Sequence, residues 1–324
     1  MNGLWLADGR LRHRADLEAP PRASGEARVR VLLAGVCGTD LALVDGLYPF
    51  EGVPGHEFVG IVEDGPAHLD GRRVVGEINV ACGSCPECVA GLAKHCRRRS
   101  ALGIRGRNGA FAELVSLPVV NLHPVPDGIA SDDAVFVEPL AAALDILERV
   151  PVDRGEKVLV VGAGRLGQLV CRVLAAHGAR VVAVGRHPRK LALLDGIVAG
   201  IVDAGALEPR SFRVAVECTG NPLALPLAQR ALAARGTLVV KSTCAGTPAL
   251  DLTSLVVDEL TVTGSRCGPF DKALRLLASG SLDLRPLIDA RYPLADGVEA
   301  FARSRRPGVM KVLVDVGAHA ERAA

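Results

Sequence analysis

Residues 158–167 read Val158-Leu159-Val160-Val161-Gly162-Ala163-Gly164-Arg165-Leu166-Gly167, and a helical pattern follows them up to His177-Gly178. An apolar strand, a glycine-rich turn and a helix in that order open a βαβ unit. Gly162 and Gly164 let the chain turn tightly and approach a pyrophosphate, and Gly167 permits close helix–strand packing. Backbone N–H groups and the helix dipole then meet the anion. The spacing predicts a dinucleotide site built on Gly162, Gly164, Arg165, Leu166 and Gly167.

The next strand end reads Val184-Gly185-Arg186-His187-Pro188-Arg189-Lys190. An acid here would accept hydrogen bonds from the adenosine ribose and repel a 2′-phosphate. Instead Gly185 leaves room and Arg186 offers a planar fork to a phosphate. This predicts NADP, with NAD also possible, and Arg266 joins the candidate cofactor residues. Strand and helix patterns alternate outward from the motif, with strands expected near 158–161, 180–184, 197–202, 213–217, 237–241 and 260–264. Six strands separated by helices predict an α/β doubly wound parallel sheet, a complete dinucleotide (Rossmann) fold. Val181-Val182-Ala183-Val184 is apolar throughout, as suits a strand covered on both faces.

Before residue 139 the texture is different. Short β-rich runs at 27–36 and 58–63, broken by Gly and Pro, predict a mainly β region without long helices. After Gly264 come one amphipathic helix at 271–279 and one strand at 309–314, too little for a third domain. The tail is expected to rejoin the first domain. The reading is a catalytic domain, 1–138 plus 268–324, into which a cofactor domain, 139–267, is inserted.

Composition bounds the partners. The chain has 324 residues, 49% of them apolar, enough for two domains with real cores. Lys+Arg 38 against Asp+Glu 36 leaves +2, no field to hold a polyanion or an anionic membrane. Aromatic residues number ten (Phe 7, Tyr 2, Trp 1), too few for base-stacking platforms, so nucleic acid is not expected and the substrate is small. The longest stretch without a formal charge, 114–126, is 13 residues with three prolines, short of the ~20 that a spanning helix needs. Charges near the N-terminus break any secretory apolar run, which predicts a cytoplasmic protein.

Cysteine usage points to metal. Cys82, Cys85, Cys88 and Cys96 fall within fifteen residues, four thiolates on one loop, enough to close a tetrahedral zinc shell. A closed shell predicts a structural ion, with His95 left at the surface. Arg97-Arg98-Arg99 beside it is a weak phosphate track, and no recognition helix follows. Cys37, after a strand, and His56, nineteen residues later before another, could hold a catalytic zinc with an open position. Cys171, Cys218, Cys244 and Cys267 lie in helix or strand patterns without nearby His and are expected in the core.

Gly35-Val36-Cys37-Gly38-Thr39-Asp40, Gly55-His56-Glu57, the four-cysteine loop, Val137-Glu138-Pro139-Leu140, the 162–167 motif and Glu217-Cys218-Thr219-Gly220 occur together in one order. In this the chain resembles, end to end, the zinc-dependent medium-chain dehydrogenase/reductase family, particularly its polyol and threonine dehydrogenase-like branches. The resemblance implies a GroES-like catalytic domain and two zinc ions per chain. It implies Cys37, His56 and Glu138 as catalytic-zinc ligands, Glu57 as a nearby exchanging ligand, Asp40 orienting His56, and Thr39 bonding the substrate oxygen. It implies hydride transfer between NADP(H) and a secondary alcohol of polyol, sugar or amino-alcohol type, and a homodimer or homotetramer. Two positions depart from the pattern: Ala42 and Asp145 stand where many relatives carry relay histidines. Lys241 is a further oddity, read either as a substrate-carboxylate anchor or as a solvated edge charge. Rival readings are a zinc- and nucleotide-binding protein with altered catalysis, and a quinone or enone reductase of the same superfamily, which should lack the Cys37/His56/Glu138 set.

Overall fold

A computed structural model describes residues 1–47, 49–243 and 247–317. The chain divides into two compact units, one of 1–138 with 273–324 and one of 139–272. The return crossing falls at Lys272/Ala273, inside the helix Phe270–Ala278, a few residues beyond the 267/268 boundary read from the texture. That helix is amphipathic throughout, and the pattern of its residues carries no mark of the change of unit. Among the described residues no helix is long and apolar enough to cross a membrane.

The 139–272 unit is built on six parallel strands in the order Gly200–Val202, Arg180–Val184, Lys157–Val161, Phe212–Glu217, Leu232–Val240, Thr261–Gly264. Strand order reverses on either side of Lys157–Val161, which sets the ligand crevice at the carboxyl ends of the central strands. Val158, Leu159 and Val160 are fully buried, the expected state of a strand covered on both faces. Leu159, Phe212, Leu225, Leu232 and Leu238 are among the buried side chains of its core. The helix Arg165–His177 starts from Gly164 and stops at Gly178 in the left-handed conformation (φ +102°), the usual glycine C-terminal stop.

The other unit carries a seven-stranded sheet in the order Ile288–Pro293, Lys311–Asp315, Glu26–Gly35, Glu57–Asp64, Arg73–Gly76, Leu122–Pro124, with Leu114–Pro118 also paired to Glu26–Gly35. In Glu26–Gly35 the residues Ala27, Val29, Val31 and Leu33 are buried while Arg28, Arg30 and Leu32 are half-buried, the period of two of a one-sided core. The tail strand Lys311–Asp315 runs antiparallel to Glu26–Gly35, so the C-terminal segment does rejoin the first domain. The strand Ile288–Pro293 and the helix Gly297–Ser304 add to the expected pattern. The helix announces itself weakly, by Gly297, Ala300, Phe301 and Ser304 at i, i+3, i+4, i+7 on its buried face.

Candidate active site and metal centres

Register brings the first group of side chains together. Gly35 pairs with Glu57 across two antiparallel strands, so Cys37, just past one strand, and His56, just before the other, meet at the same end of the sheet. The ligand atoms of Cys37, His56 and Glu57 lie within 4.8 Å of one another, with His56 and Glu57 buried. Cys37 precedes the helix Gly38–Val44, and the third helical residue, Asp40, accepts a hydrogen bond from the Cys37 N–H through Oδ2 at 2.8 Å. The other oxygen of this fully buried carboxylate, Oδ1, stands 3.3 Å from His56 Nδ1, an ion-pair distance without hydrogen-bond alignment. Burial alone would lower the imidazole's pKa, but Asp40 and Cys37 outweigh it and hold His56 well above its ordinary value. A buried imidazole facing a carboxylate on one side and a thiol in the same cluster is a site that draws in a cation. With Nδ1 turned to Asp40, Nε2 is the ring's remaining donor. Soft sulfur, imidazole and carboxylate are the donor set of zinc, so the residues fit the ion.

The close cluster is Cys37, His56 and Glu57; Glu138 is not a member of it. Glu138 sits in the first turn of the helix Val137–Arg149, which begins before Pro139 because a first-turn proline lacks only an N–H that has no helical partner there. Glu57 in turn is engaged by a residue that the motif reading missed: Lys311 Nζ donates to Glu57 Oε2, and both side chains are buried. The signal was a lone lysine in the apolar run Val309-Met310-Lys311-Val312-Leu313-Val314. Gly35 makes the room, since a Cβ there would lie 2.7 Å from Glu57 Oε2. Thr39 is half-buried on the second residue of the helix beside Asp40.

The four-cysteine loop closes on itself. Cys85 Sγ lies 3.4 Å from Cys88 Sγ and 3.7 Å from Cys96 Sγ, and Cys82 Sγ lies 4.0 Å from Cys88 Sγ. Thiolates on a tetrahedral zinc at about 2.3 Å stand roughly 3.8 Å apart, so the loop has the shape of the ion. The backbone N–H of Ser84, then that of Cys85 and the neighbouring thiols, bring the Cys82 thiol down to about 5. The Cys88 N–H acts the same way on Cys85, but burial and the adjoining Cys88, Glu87 and Cys96 push it up to about 12. Such thiols share protons unless a divalent cation ionises them all. His95 is exposed and outside the cluster.

At the carboxyl end of the parallel sheet a cavity of about 310 Å³ is lined by Gly162, Gly164, Gly185, Arg186, Lys190 and Thr219 among others. Gly162 has φ +111°, and a Cβ on it would meet Thr219 and Cys218 at 2.8 and 3.0 Å. Gly167 is closer still, its Cβ falling 1.8 Å from the Gly162 carbonyl oxygen. Gly164 has nothing within 4 Å of where its Cβ would point, a cradle that a side chain would fill and that the protein leaves open. A pyrophosphate fits there. Arg186 is exposed at the cavity; Arg165 and Leu166 lie on the first helical turn and do not line it. Arg266 is exposed and does not line the cavity either; its N–H donates to Asp145 Oδ2 at 3.2 Å.

Asp145 and Lys241 turn out to be joined. Asp145 is buried and also accepts from Ser265 Oγ at 2.8 Å and Arg149 Nε at 3.3 Å. Lys241 Nζ donates to Ser265 Oγ at 3.0 Å and to the Ala142 carbonyl at 2.6 Å. Lys241 is thus a tie within the unit, neither of the roles expected of it, because the strand end that carries it faces helix Val137–Arg149. Cys171 and Cys218 are buried as expected, Cys218 at the edge of the cavity. Cys267 is half-exposed with φ +48°, in a loop and not in the core, and Cys244 lies outside the described residues.

Comparison with known proteins agrees with this geometry. Residues 23–127 match the alcohol dehydrogenase GroES-like domain, and residues 166–279 match the zinc-binding dehydrogenase domain. An L-threonine 3-dehydrogenase of Streptomyces coelicolor is 34% identical over 97% of this chain and 96% of its own length. A 2-dehydro-3-deoxy-L-galactonate 5-dehydrogenase of Pseudoalteromonas atlantica is 31% identical over 91% of this chain and 93% of its own. Among solved structures, a zinc-binding dehydrogenase of Sinorhizobium meliloti bound to NADP superposes with a TM-score of 0.90 at 28% identity, covering 97% of this chain and 98% of that one. By matched domains, end-to-end relatives and site geometry alike, the chain belongs to the zinc-dependent, alcohol dehydrogenase-like medium-chain dehydrogenase/reductase family.

Proposed function

We propose that this dehydrogenase transfers a hydride between NADP(H) and a secondary alcohol of polyol, sugar-acid or amino-alcohol type, or the corresponding carbonyl. The observation that carries it is the cluster of half-buried Cys37 with buried His56 and Glu57, backed by Asp40. Relatives named for threonine and galactonate derivatives support the substrate class. When bound, zinc supplies Lewis-acid polarisation of the substrate oxygen and the nicotinamide exchanges the hydride. Cys37 and His56 hold the ion, with Glu57 or Glu138 as the third ligand. Asp40 orients both of the first two, through the Cys37 N–H and the Nδ1 side of His56. Thr39 hydrogen-bonds the substrate oxygen. The proton route runs through solvent beside His56 and Thr39, since Ala42 has no titratable group and Asp145 is tied to Ser265 and Arg149. The turn at Gly162–Gly164 receives the pyrophosphate, Gly185 leaves room for the 2′-phosphate, and Arg186 pairs with it. We also infer a structural zinc in the Cys82/Cys85/Cys88/Cys96 loop, a homo-oligomer and a cytoplasmic site of action. The exposed edge strand Thr261–Gly264, next to exposed Leu252, Val256 and Val257, supports the oligomer. The thiol-rich loop supports a reducing compartment.

The test is a calorimetric titration with NADP and NAD at low salt, followed by a panel of polyols, sugar acids and amino alcohols on zinc-loaded protein. Arg186 is exposed, so screening holds its pair with the phosphate to about 10-fold in favour of NADP. Arg186→Ala is expected to remove that preference and leave NAD binding unchanged. Equal affinity of wild-type protein for the two cofactors overturns the NADP reading, and zinc-loaded protein without turnover across the panel overturns the dehydrogenase reading. Gly185→Asp is a poorer probe, because its Cβ would stand 2.9 Å from Leu191 Cδ2 and 3.2 Å from Ala163 Cβ.

A further inference from the structure

Two polar side chains on the buried face of helix Arg165–His177 have no part in the chemistry above. Gln168 and Arg172, one helical turn apart, are 0% and 3% exposed. Arg172 Nη1 donates to Gln168 Oε1 at 2.5 Å and to the Gln168 carbonyl at 3.3 Å, and Nη2 donates to the Leu193 carbonyl at 2.9 Å. Gln168 Nε2 donates to the Lys190 carbonyl at 2.6 Å and to the Ala163 carbonyl at 3.3 Å. Burying a guanidinium is costly unless its donors are used, so an arginine here needs a reason.

The acceptors supply it. Lys190 and Leu193 belong to the last turn and C-cap of the short helix Pro188–Ala192, whose carbonyls have no acceptor role left inside the helix. A cation at that end also complements the helix dipole. The same short helix follows directly on Arg186, and Lys190 lines the cofactor cavity with it. One buried arginine and one glutamine thus clamp the 186–193 segment to the glycine-motif helix, and Ala163 of the glycine turn is held by the same amide.

We infer that Gln168 and Arg172 are positioning residues for cofactor choice: they fix the 186–193 segment so that Arg186 faces the 2′-phosphate of NADP. The inference rests on the NADP reading proposed above. NAD and NADP share the pyrophosphate and differ only at the ribose that this segment faces. A planar guanidinium–phosphate pair is directional, so loosening the clamp weakens NADP more than NAD.

The experiment compares wild-type protein with Arg172→Met and with the milder Arg172→Lys, whose single ammonium cannot replace a fork that reaches Gln168 and Leu193 together. Affinity for NADP and NAD is measured by calorimetry, and amide hydrogen exchange is followed over 186–194 in cofactor-free protein. Arg172→Met is expected to lower the NADP/NAD affinity ratio about 3- to 10-fold, at most the full preference that Arg186 supplies, and to speed exchange in 186–194, with Arg172→Lys between it and wild type. Equal weakening of both cofactors, or an unchanged ratio, overturns the inference, because a purely structural role would leave the ratio alone. If Arg172→Met does not fold, the Arg172→Lys ratio decides, and a wild-type value overturns. Faster exchange in a protein whose wild type does not prefer NADP would fell the cofactor reading and with it the selectivity role, leaving only the clamp.

Discussion

Lys311 illustrates how one residue outside every motif sets the chemistry of a motif. It sits in the otherwise apolar run 309–314, 3% exposed, with its ammonium on Glu57 and 5.7 Å from the centre of the Phe136 ring. Replacing a matched buried pair by apolar groups can be nearly neutral, but removing one partner strands the other charge. Lys311→Met is therefore expected to cost about 3–5 kcal/mol of stability in urea unfolding of the metal-free protein. The double change Lys311→Met with Glu57→Gln should recover much of that loss; if the single variant lost under about 1 kcal/mol, the pair would not be the buried ion pair described here. The four loop cysteines were readable as one cluster from their spacing, and Cys37 and His56, at two strand ends, as a pair that could meet; the structure brings each group together. Glu57 was named beside His56 only through the family resemblance, and its lysine, 254 residues away along the chain, was not readable at all.

At the scale of the element, the three glycines of the 162–167 turn divide by what surrounds them. Gly162 and Gly167 are needed by the fold: one has a left-handed backbone, and a Cβ on the other would fall 1.8 Å from the Gly162 carbonyl oxygen. Gly164 has no neighbour within 4 Å of where its Cβ would point, and its open cradle is the part of the turn proposed to receive the pyrophosphate. Gly164→Ala should leave the melting temperature of the cofactor-free protein within about 2 °C while weakening NADP and NAD alike by about 10-fold or more, read by calorimetry and thermal denaturation. Gly167→Ala should instead destabilise by several °C, because its methyl cannot coexist with the Gly162 oxygen. A Gly164→Ala protein that bound both cofactors normally would remove the pyrophosphate from this turn. The strands of this unit were legible as apolar runs, whereas Ile288–Pro293 was not, since its residues are half-buried or exposed and show no alternation to read.

For the whole molecule, the two proposed metal centres rest on two independent residue sets within one unit of the chain. Metal analysis of purified protein is expected to find about two zinc per chain. Cys85→Ser should lower this to about one and reduce the yield of folded protein, because a four-thiol loop without its ion loses the energy that organises it. His56→Ala should also lower it to about one but leave folding near normal. One zinc in well-folded wild-type protein would cancel one of the two centres, and the two variants would identify which. Light scattering on the same samples should give a mass that is a small multiple of the 33.8 kDa chain; a monomer would leave the exposed Thr261–Gly264 edge without the partner proposed for it.

The sequence by itself determined the two-part plan, the parallel sheet with its glycine turn, and the four-thiol loop. In each of these the deciding pattern is local: apolar runs of strand length, glycines three and two residues apart, cysteines within one loop. Tertiary structure alone decided that Lys311 meets Glu57 and that Lys241 ties Ala142 to Ser265. It alone decided that Asp145 serves as an anchor for the loop after Thr261–Gly264, and that Gln168 and Arg172 hold the carbonyls of Lys190 and Leu193. The physical reason is the same throughout. A local motif is specified by the spacing of its own residues, but the partner of a buried charge is chosen by strand register and helix packing across tens or hundreds of residues, and no spacing along the chain encodes that distance in space.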